Sequence, residues 1–354
     1  MEVPAEAILR NGQVLITLKS NRQFTGALVF NGRKAGFRGR FDADGNWSGT
    51  ATVAGRLVEM EMFLEAGEIG NRVSCLVVFD SEESTAFVLL PVAHTGANGD
   101  VFGWNGARLN VLFESVGSSG KTFGHGYAGA TAAKDGVMRF AGQLADDTAW
   151  SGAARVVRDE TGGLRLPLAV PLNATKGLLH GEGTLDPAAD VQSGEAEFYS
   201  VGTWTWVRGA NARAKAHNEG FVEVLQPFGQ RWNYRRGTNL WTGQTGETSV
   251  RLMLGMEEGD PGALGPFSTT WPLNNRPVWS LIPPRGFQFS ATTARGEFSG
   301  KIPARGGSIL FPAANYRGVL LSPGVVRGDG ILLGGGFLFG AAGSDVVELT
   351  GPLR

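Results

Sequence analysis

Apolar and polar residues alternate with a period of two along most of the chain. In residues 13–20 Val14, Ile16 and Leu18 point one way, and in residues 58–63 Val58, Met60 and Met62 oppose Glu59 and Glu61. Compact turn signals separate such runs, among them Asn31-Gly32, Asp42-Ala43-Asp44-Gly45, Lys134-Asp135-Gly136 and Gly162-Gly163. Strands of about 6–9 residues joined by turns of this kind make a meander of antiparallel hairpins. No convincing amphipathic helix interrupts it, and residues 210–220 are too short and glycine-bounded to be more than a linker or one turn. At about 8–12 residues per strand and turn, the chain holds roughly 25–30 strands. That exceeds one small barrel. The expected fold is all-β, an antiparallel meander of hairpins forming two curled barrel- or sandwich-like halves at 1–208 and 221–354, joined by 209–220; one larger continuous structure is the other arrangement.

A small unit recurs within the strands: an aromatic residue, any residue, then glycine. It appears as Phe24-Thr-Gly26, Phe37-Arg-Gly39, Trp47-Ser-Gly49, Phe140-Ala-Gly142, Trp150-Ser-Gly152, Phe298-Ser-Gly300 and Tyr316-Arg-Gly318. Residues i and i+2 share a sheet face, so a large ring sits beside an empty site on the same side. A ring from the neighbouring strand can cover that glycine, and the missing Cβ lets the sheet bend sharply. The longest internal match pairs FRGRFDADGNWSGTATV with FAGQLADDTAWSGAARV, each holding two such units around an acidic turn, as a duplicated hairpin would.

Composition narrows the function. The 354 residues include 54 Gly, and formal net charge is −1, so no long-range field draws the protein to nucleic acid or an anionic membrane. No run of about 18 apolar residues is present, which argues against a membrane helix. Cys75 is the single cysteine, in SCLVVF, and reads as a small buried side chain. The start, MEVPAEAI, is acidic without an apolar core and does not read as a signal peptide. The chain is then either cytoplasmic, with Met1 its natural start, or a piece of a longer exported protein.

Two stretches imitate nucleotide sites. GSSGKT follows the strand-like LNVLF, and GHGYAG spells G-x-G-x-x-G. Both motifs work only at the start of a helix, whose N–H groups and dipole hold the phosphate. The residues that follow carry Gly124, Gly126, Gly129 and Gly136 and have no helical period, so SVGSSGKT reads as a loop between antiparallel strands.

The blocks QFTGALVFNGRKAGFRGRFDADGNW, GHGYAGATAAKDGVMRFAGQLADDTAWSGA, GTWTWVRG, GFQFSATTARGEFSGKI and NYRGVLLSPGVVRGDGILLGG, in this order and ending in GSDVVELT, carry a resemblance. They resemble a glycine-rich β-module found toward the C-terminus of very large exported proteins of planctomycete and verrucomicrobial bacteria. The resemblance implies an exported, surface-associated, non-enzymatic module, and it brings no catalytic residues. The acidic loop FDSEESTAF and the Pro- and Trp-rich stretch 255–280 depart from the pattern.

Few residues combine into chemistry. Asp42, Asp44 and Asn46 have the first spacings of a calcium loop, but Trp47 replaces the turn glycine and Val53 the bidentate glutamate, so a hairpin turn is expected. His94, His125, His180 and His217 are scattered, and no metal or cofactor is expected. A glycan-active enzyme would draw two carboxylates from Glu59, Glu61, Glu195, Glu197, Glu223, Glu257 and Glu258; the i, i+2 pairs among them read instead as solvated strand faces. Trp204 and Trp206 read as core. Trp232, Tyr234, Trp241, Trp271 and Trp279 stand among Arg, Asn and Pro in loop-like surroundings, where flat rings beside polar donors can hold a sugar or else plug the barrel ends. The expected function is a surface, adhesion or structural module that meets a polysaccharide or another surface protein. A glycoside-hydrolase-like enzyme is the alternative.

Overall fold

The computed structural model describes residues 2–9, 12–30, 33–53, 55–67, 70–79, 83–91, 106–117, 124–133, 136–159, 161–172, 177–189, 196–210, 218–234, 248–254, 264–271, 277–279, 285–303, 313–327, 330–340 and 343–352. Among them are 25 strands and no helix, so the all-β antiparallel reading is correct. No described helix is long and apolar enough to cross a membrane.

The first eight strands are β1 (Glu2–Leu9), β2 (Gly12–Lys19), β3 (Gln23–Phe30), β4 (Arg33–Arg40), β5 (Asn46–Val53), β6 (Arg56–Gly67), β7 (Gly70–Phe79) and β8 (Glu83–Pro91). They form one sheet in the order β4-β3-β2-β1-β8-β7-β6-β5. The next nine are β9 (Arg108–Ser115), β10 (Gly126–Ala132), β11 (Val137–Gln143), β12 (Ala149–Arg155), β13 (Val157–Arg158), β14 (Leu164–Leu172), β15 (Gly177–Leu185), β16 (Phe198–Arg208) and β17 (Phe221–Arg231). Their order is β12-β11-β10-β9-β17-β16-β15-β14-β13. The last eight are β18 (Thr248–Leu254), β19 (Leu264–Trp271), β20 (Val278–Trp279), β21 (Gln288–Thr292), β22 (Glu297–Ile302), β23 (Ala314–Arg327), β24 (Gly330–Gly340) and β25 (Gly343–Pro352), in the order β20-β19-β18-β25-β24-β23-β22-β21.

One topology is therefore used three times. The first strand of each sheet is laddered to its last, and the ladder is open only between two strands in the middle of the segment. Those open edges approach each other: β4 lies against β5, β12 against β14, and Trp279 of β20 meets Phe289 of β21 edge to face. The middle sheet is a nearly closed barrel, and its neighbours curl the same way. Residues 209–220 join β16 to β17, which pair with each other, and β17 completes the barrel by pairing with β9. A glycine-bounded segment suits a loop between paired strands as well as a linker, and here the strands on either side of 209–220 share one ladder.

The alternating faces are sorted as the pattern requires. Val58, Met60 and Met62 are fully buried while Glu59 and Glu61 face solvent. Trp204 and Trp206 lie inside the middle barrel with Phe113, Phe140 and Trp150, and the Trp204 indole N–H donates to the Glu182 carbonyl at 2.7 Å. Cys75 is in the first core, where burial pushes its thiol up to about 12.

Ring-and-glycine units occur in reciprocal pairs across neighbouring strands. Phe24 stands opposite Gly39 and Phe37 opposite Gly26; Phe298 stands opposite Gly318 and Tyr316 opposite Gly300. In each case the ring fills the space a Cβ would take. In the middle barrel the space at Gly152 is taken by Val170 of β14, which brings the open edges together. A Cβ at Gly39 would fall 2.7 Å from Phe24 and also against Trp47, whereas at Gly36 on the same strand the nearest atom is 4.0 Å away. Gly39→Ala is expected to destabilise by about 1–3 kcal/mol, and Gly36→Ala to stay within about 0.5 kcal/mol of wild type. Thermal melts of the two variants read the difference; equal melting temperatures would remove the packing role from the unit.

The decoy motifs resolve as antiparallel structure. β9 and β10 pair directly, so the segment containing GSSGKT joins two antiparallel neighbours; Lys121 itself lies outside the described residues. Gly126 and Gly129 of the second motif are in β10. At the acidic turn the Asp42 carboxylate accepts the N–H groups of Asp44 (3.0 Å) and Asn46 (2.8 Å), and Gly45 takes a positive φ of 85°.

Candidate functional site

The middle barrel and the third sheet are joined by a buried polar junction. Asn110 of β9 is fully buried and donates through Nδ2 to the carbonyls of Gly296 (3.1 Å) and Leu320 (2.9 Å). Arg108, two residues earlier on the same strand face, donates to the Arg295 carbonyl (2.7 Å) and pairs with Glu297 at 2.6 Å. The Trp232 indole N–H donates to the Thr293 carbonyl at 2.7 Å, so the turn between β21 and β22 is held from two sides. Beside this polar group Leu112, Val319, Leu321 and Leu332 make an apolar patch, with Tyr127 and Phe228 packed against it.

A groove of about 410 Å³ opens next to the junction, a volume within the ordinary range for small-ligand sites. Its floor is the outer face of β21–β23. The register sets Ser290, Ser299 and Arg317 in one row and Gln288, Lys301 and Asn315 in the next. Phe289, Phe298 and Tyr316 alternate with them and pack into the third core. Tyr127 of the middle barrel closes one end. Its hydroxyl donates to Gln143 Oε1 at 2.9 Å, which also accepts from Arg317 at 3.1 Å. Burial, with the Glu297 charge adding to it, pushes the Tyr127 phenol up to about 12, so it stays a neutral donor. The arrangement offers hydroxyls, amides and cationic groups to a polar ligand. Among the described residues, no group of three or more His, Cys, Asp or Glu is placed to hold a metal ion.

Of the five rings that the sequence left as either sugar-holding or end-plugging, the four described ones pack into or against the third core. Trp271 is fully buried, Trp232 is 7% exposed, and Tyr234 and Trp279 pack partly buried against the third core. Trp241 lies outside the described residues. Trp279 sits edge to face with Phe287 (5.4 Å) and Phe289 (5.8 Å), covering the open edge of the third sheet. The four described rings plug the third sheet. Their Pro- and Asn-rich surroundings imitate an exposed loop in the sequence.

The candidate carboxylates are also distributed by the fold. Glu197 is buried and accepts from the Arg231 backbone N–H at 2.5 Å and from its guanidinium. Glu223 is buried and accepts from Ser115 Oγ (2.5 Å) and Gly117 N–H (2.8 Å). Glu59 and Glu61 share an exposed face of β6, and Glu195, Glu257 and Glu258 lie outside the described residues. His125 is buried near Glu348 (3.4 Å). His94 and His217 lie outside the described residues. Sequence reasoning passed over Asn110, Arg108 and Glu297. The signal was present as one amide in the otherwise apolar run LNVLF, since a polar side chain on a buried strand needs partners.

No family model matches the chain, and no curated protein matches it. Among solved structures the chain is similar to one described as the structure of intact Ap-TbpB with its N and C lobes, at 9% identity and a TM-score of 0.23, over 96% of this chain and 66% of that one. A likeness at that score carries no argument.

Proposed function

We propose that the protein is a non-enzymatic exported surface module, structural or adhesive, that meets a polysaccharide or another surface protein. The resemblance read from the sequence implies this role. The observation that carries it is the commitment of the described buried acids to structure: Asp146 to Arg208, Glu197 to Arg231, Glu223 to Ser115 and Gly117. A carboxylate already held by a cation or by N–H and O–H donors is a poor proton donor to a glycosidic oxygen. Three curled units in series, joined at buried contacts, suit a part whose work is to present surface.

The reading is tested on two fronts. Incubation of the full chain with a panel of neutral and acidic polysaccharides is expected to release no reducing ends above a heat-denatured control. Protease added to intact source cells is expected to cleave the protein. Release of sugar in proportion to protein would assign an enzyme, and complete protection from protease would place the chain inside the cell; either result ends the proposal.

A further inference from the structure

Between residues 7 and 41 the sequence holds seven Lys and Arg and no Asp or Glu, in a chain whose formal net charge is −1. Of these seven, Lys19, Lys34, Arg38 and Arg40 share one face of the first sheet, Arg33 has the opposite parity, and β1 sets Glu2 beside Lys19 and Glu6 beside Leu15. On β4 the half-buried Ala35, Phe37 and Gly39 alternate with Lys34, Arg38 and Arg40, so these three leave the sheet on its outer surface, and all are exposed. The register sets Arg40 beside Gln23, Arg38 beside Thr25, and Thr25 beside Thr17. Successive outward positions on a strand are about 7 Å apart, which gives a row of cations along β4 backed by amide and hydroxyl groups. Beside that row lies a groove of about 330 Å³ that runs over Thr17, Thr25 and Lys34; its far side includes Arg155 of the middle barrel. The acids that follow β4 in the chain are Asp42 and Asp44, in the turn after the strand, and one Asp42 oxygen is already taken by two backbone N–H groups.

Edge strands carry Lys and Arg to discourage pairing with another chain, and β4 borders the open edge. That accounts for the charges on β4. It does not account for the lack of acids on β2 and β3.

We propose that the outer face of β2–β4, together with Arg155, is a docking surface for a carboxylated polysaccharide lying along β4; the proposal rests on the surface role above for the source of that polymer. Guanidinium forks pair in register with planar carboxylates, and the threonine hydroxyls meet sugar hydroxyls. The attraction acts locally, within a screening length of about 8–10 Å, so it does not need a net positive chain. Nucleic acid fits less well. Among the described residues no aromatic ring stands in the outward rows of β2–β4, where single-stranded bases would need a stacking platform.

The test measures binding of the full chain to immobilised polygalacturonate, neutral dextran and single-stranded DNA at low and high salt. Wild type is expected to bind polygalacturonate, and to lose about tenfold or more of its affinity between ~50 and ~500 mM salt. Lys34→Gln/Arg38→Gln/Arg40→Gln is expected to lose about tenfold or more while melting as wild type does. Arg285→Gln, exposed on another part of the chain, is expected to bind as wild type. Undiminished binding by the triple variant, equal binding to dextran, tighter binding to the DNA, or no binding to polygalacturonate each overturns the docking surface. None of these bears on protease accessibility or turnover, so the surface-module reading stands or falls separately.

Discussion

Asp146→Ala is expected to destabilise the protein by about 3–5 kcal/mol and to lower its melting temperature by on the order of 10 °C. Asp146 lies in the acidic turn between β11 and β12, and its side chain is 0% exposed. One oxygen accepts the Thr148 N–H at 2.9 Å, and the other lies 3.2 Å from Arg208 Nη1. Arg208 ends β16 with its side chain 7% exposed and its guanidinium 5.9 Å over the Phe221 ring. The contact is an ion pair rather than an aligned hydrogen bond, so its worth lies in charge compensation. Removing the carboxylate strands a cation that water hardly reaches, which is the costly half of breaking a buried pair. The double variant Asp146→Leu/Arg208→Met removes both charges and is expected to recover most of the loss. Urea unfolding of the three proteins decides the matter. A single variant that unfolds with wild-type stability would show that solvent already compensates Arg208.

The second large effect is in pH. His180 of β15 is 6% exposed, and Nε2 has no hydrogen-bond partner among the described residues. Burial holds its pKa down at about 4, against 6.5 for an ordinary imidazole. Between those values the unfolded chain binds a proton that the folded chain refuses, so stability falls as pH drops from 6.5 toward 4 and is fully present above that window. The loss reaches roughly 3 kcal/mol at the acid end. The register sets His180 beside Ala169 and Thr205, and β1 of the first sheet packs over β14 and β15, so the weakening acts near the joint between the first two units. Between pH 7.5, 5.5 and 4.5 the unfolding free energy of wild type relative to His180→Leu should shift in the variant's favour, by roughly 3 kcal/mol at most. Parallel profiles would remove His180 as the cause.

The strands were legible because their period is local. Alternation alone placed Met60 inward and Glu59 outward, and it placed Trp204 and Trp206 in a core. The ring-and-glycine spacing predicted reciprocal packing, because residues i and i+2 must share a face whatever the rest of the chain does. The number of units was harder to read. Phe37 stacks on Trp47, Phe140 on Trp150 and Phe289 on Phe298, one pair in each sheet, at 5.9, 6.2 and 5.9 Å. The third pair has Ala291 where the others have glycine after the first ring, so its kinship with the duplicated hairpin is hidden in the sequence. Of the groove and the polar junction, only the lone amide of Asn110 in LNVLF was legible, and its partners were not. Asn110 meets carbonyls of residues 296 and 320, and Asp146 meets Arg208. No local period encodes partners that far apart; the closing of the sheets brings them together.

The ladder between first and last strands has a mechanical consequence. Glu6 sits opposite Leu90, Leu109 opposite Arg231, and Arg251 opposite Thr350, so the chain enters and leaves each unit at the same end of two adjacent antiparallel strands. Tension along the polypeptide would then load these rungs one after another, as a zipper is pulled, instead of shearing the whole row at once. Each unit would yield at low force and lengthen the polypeptide before the next one opens.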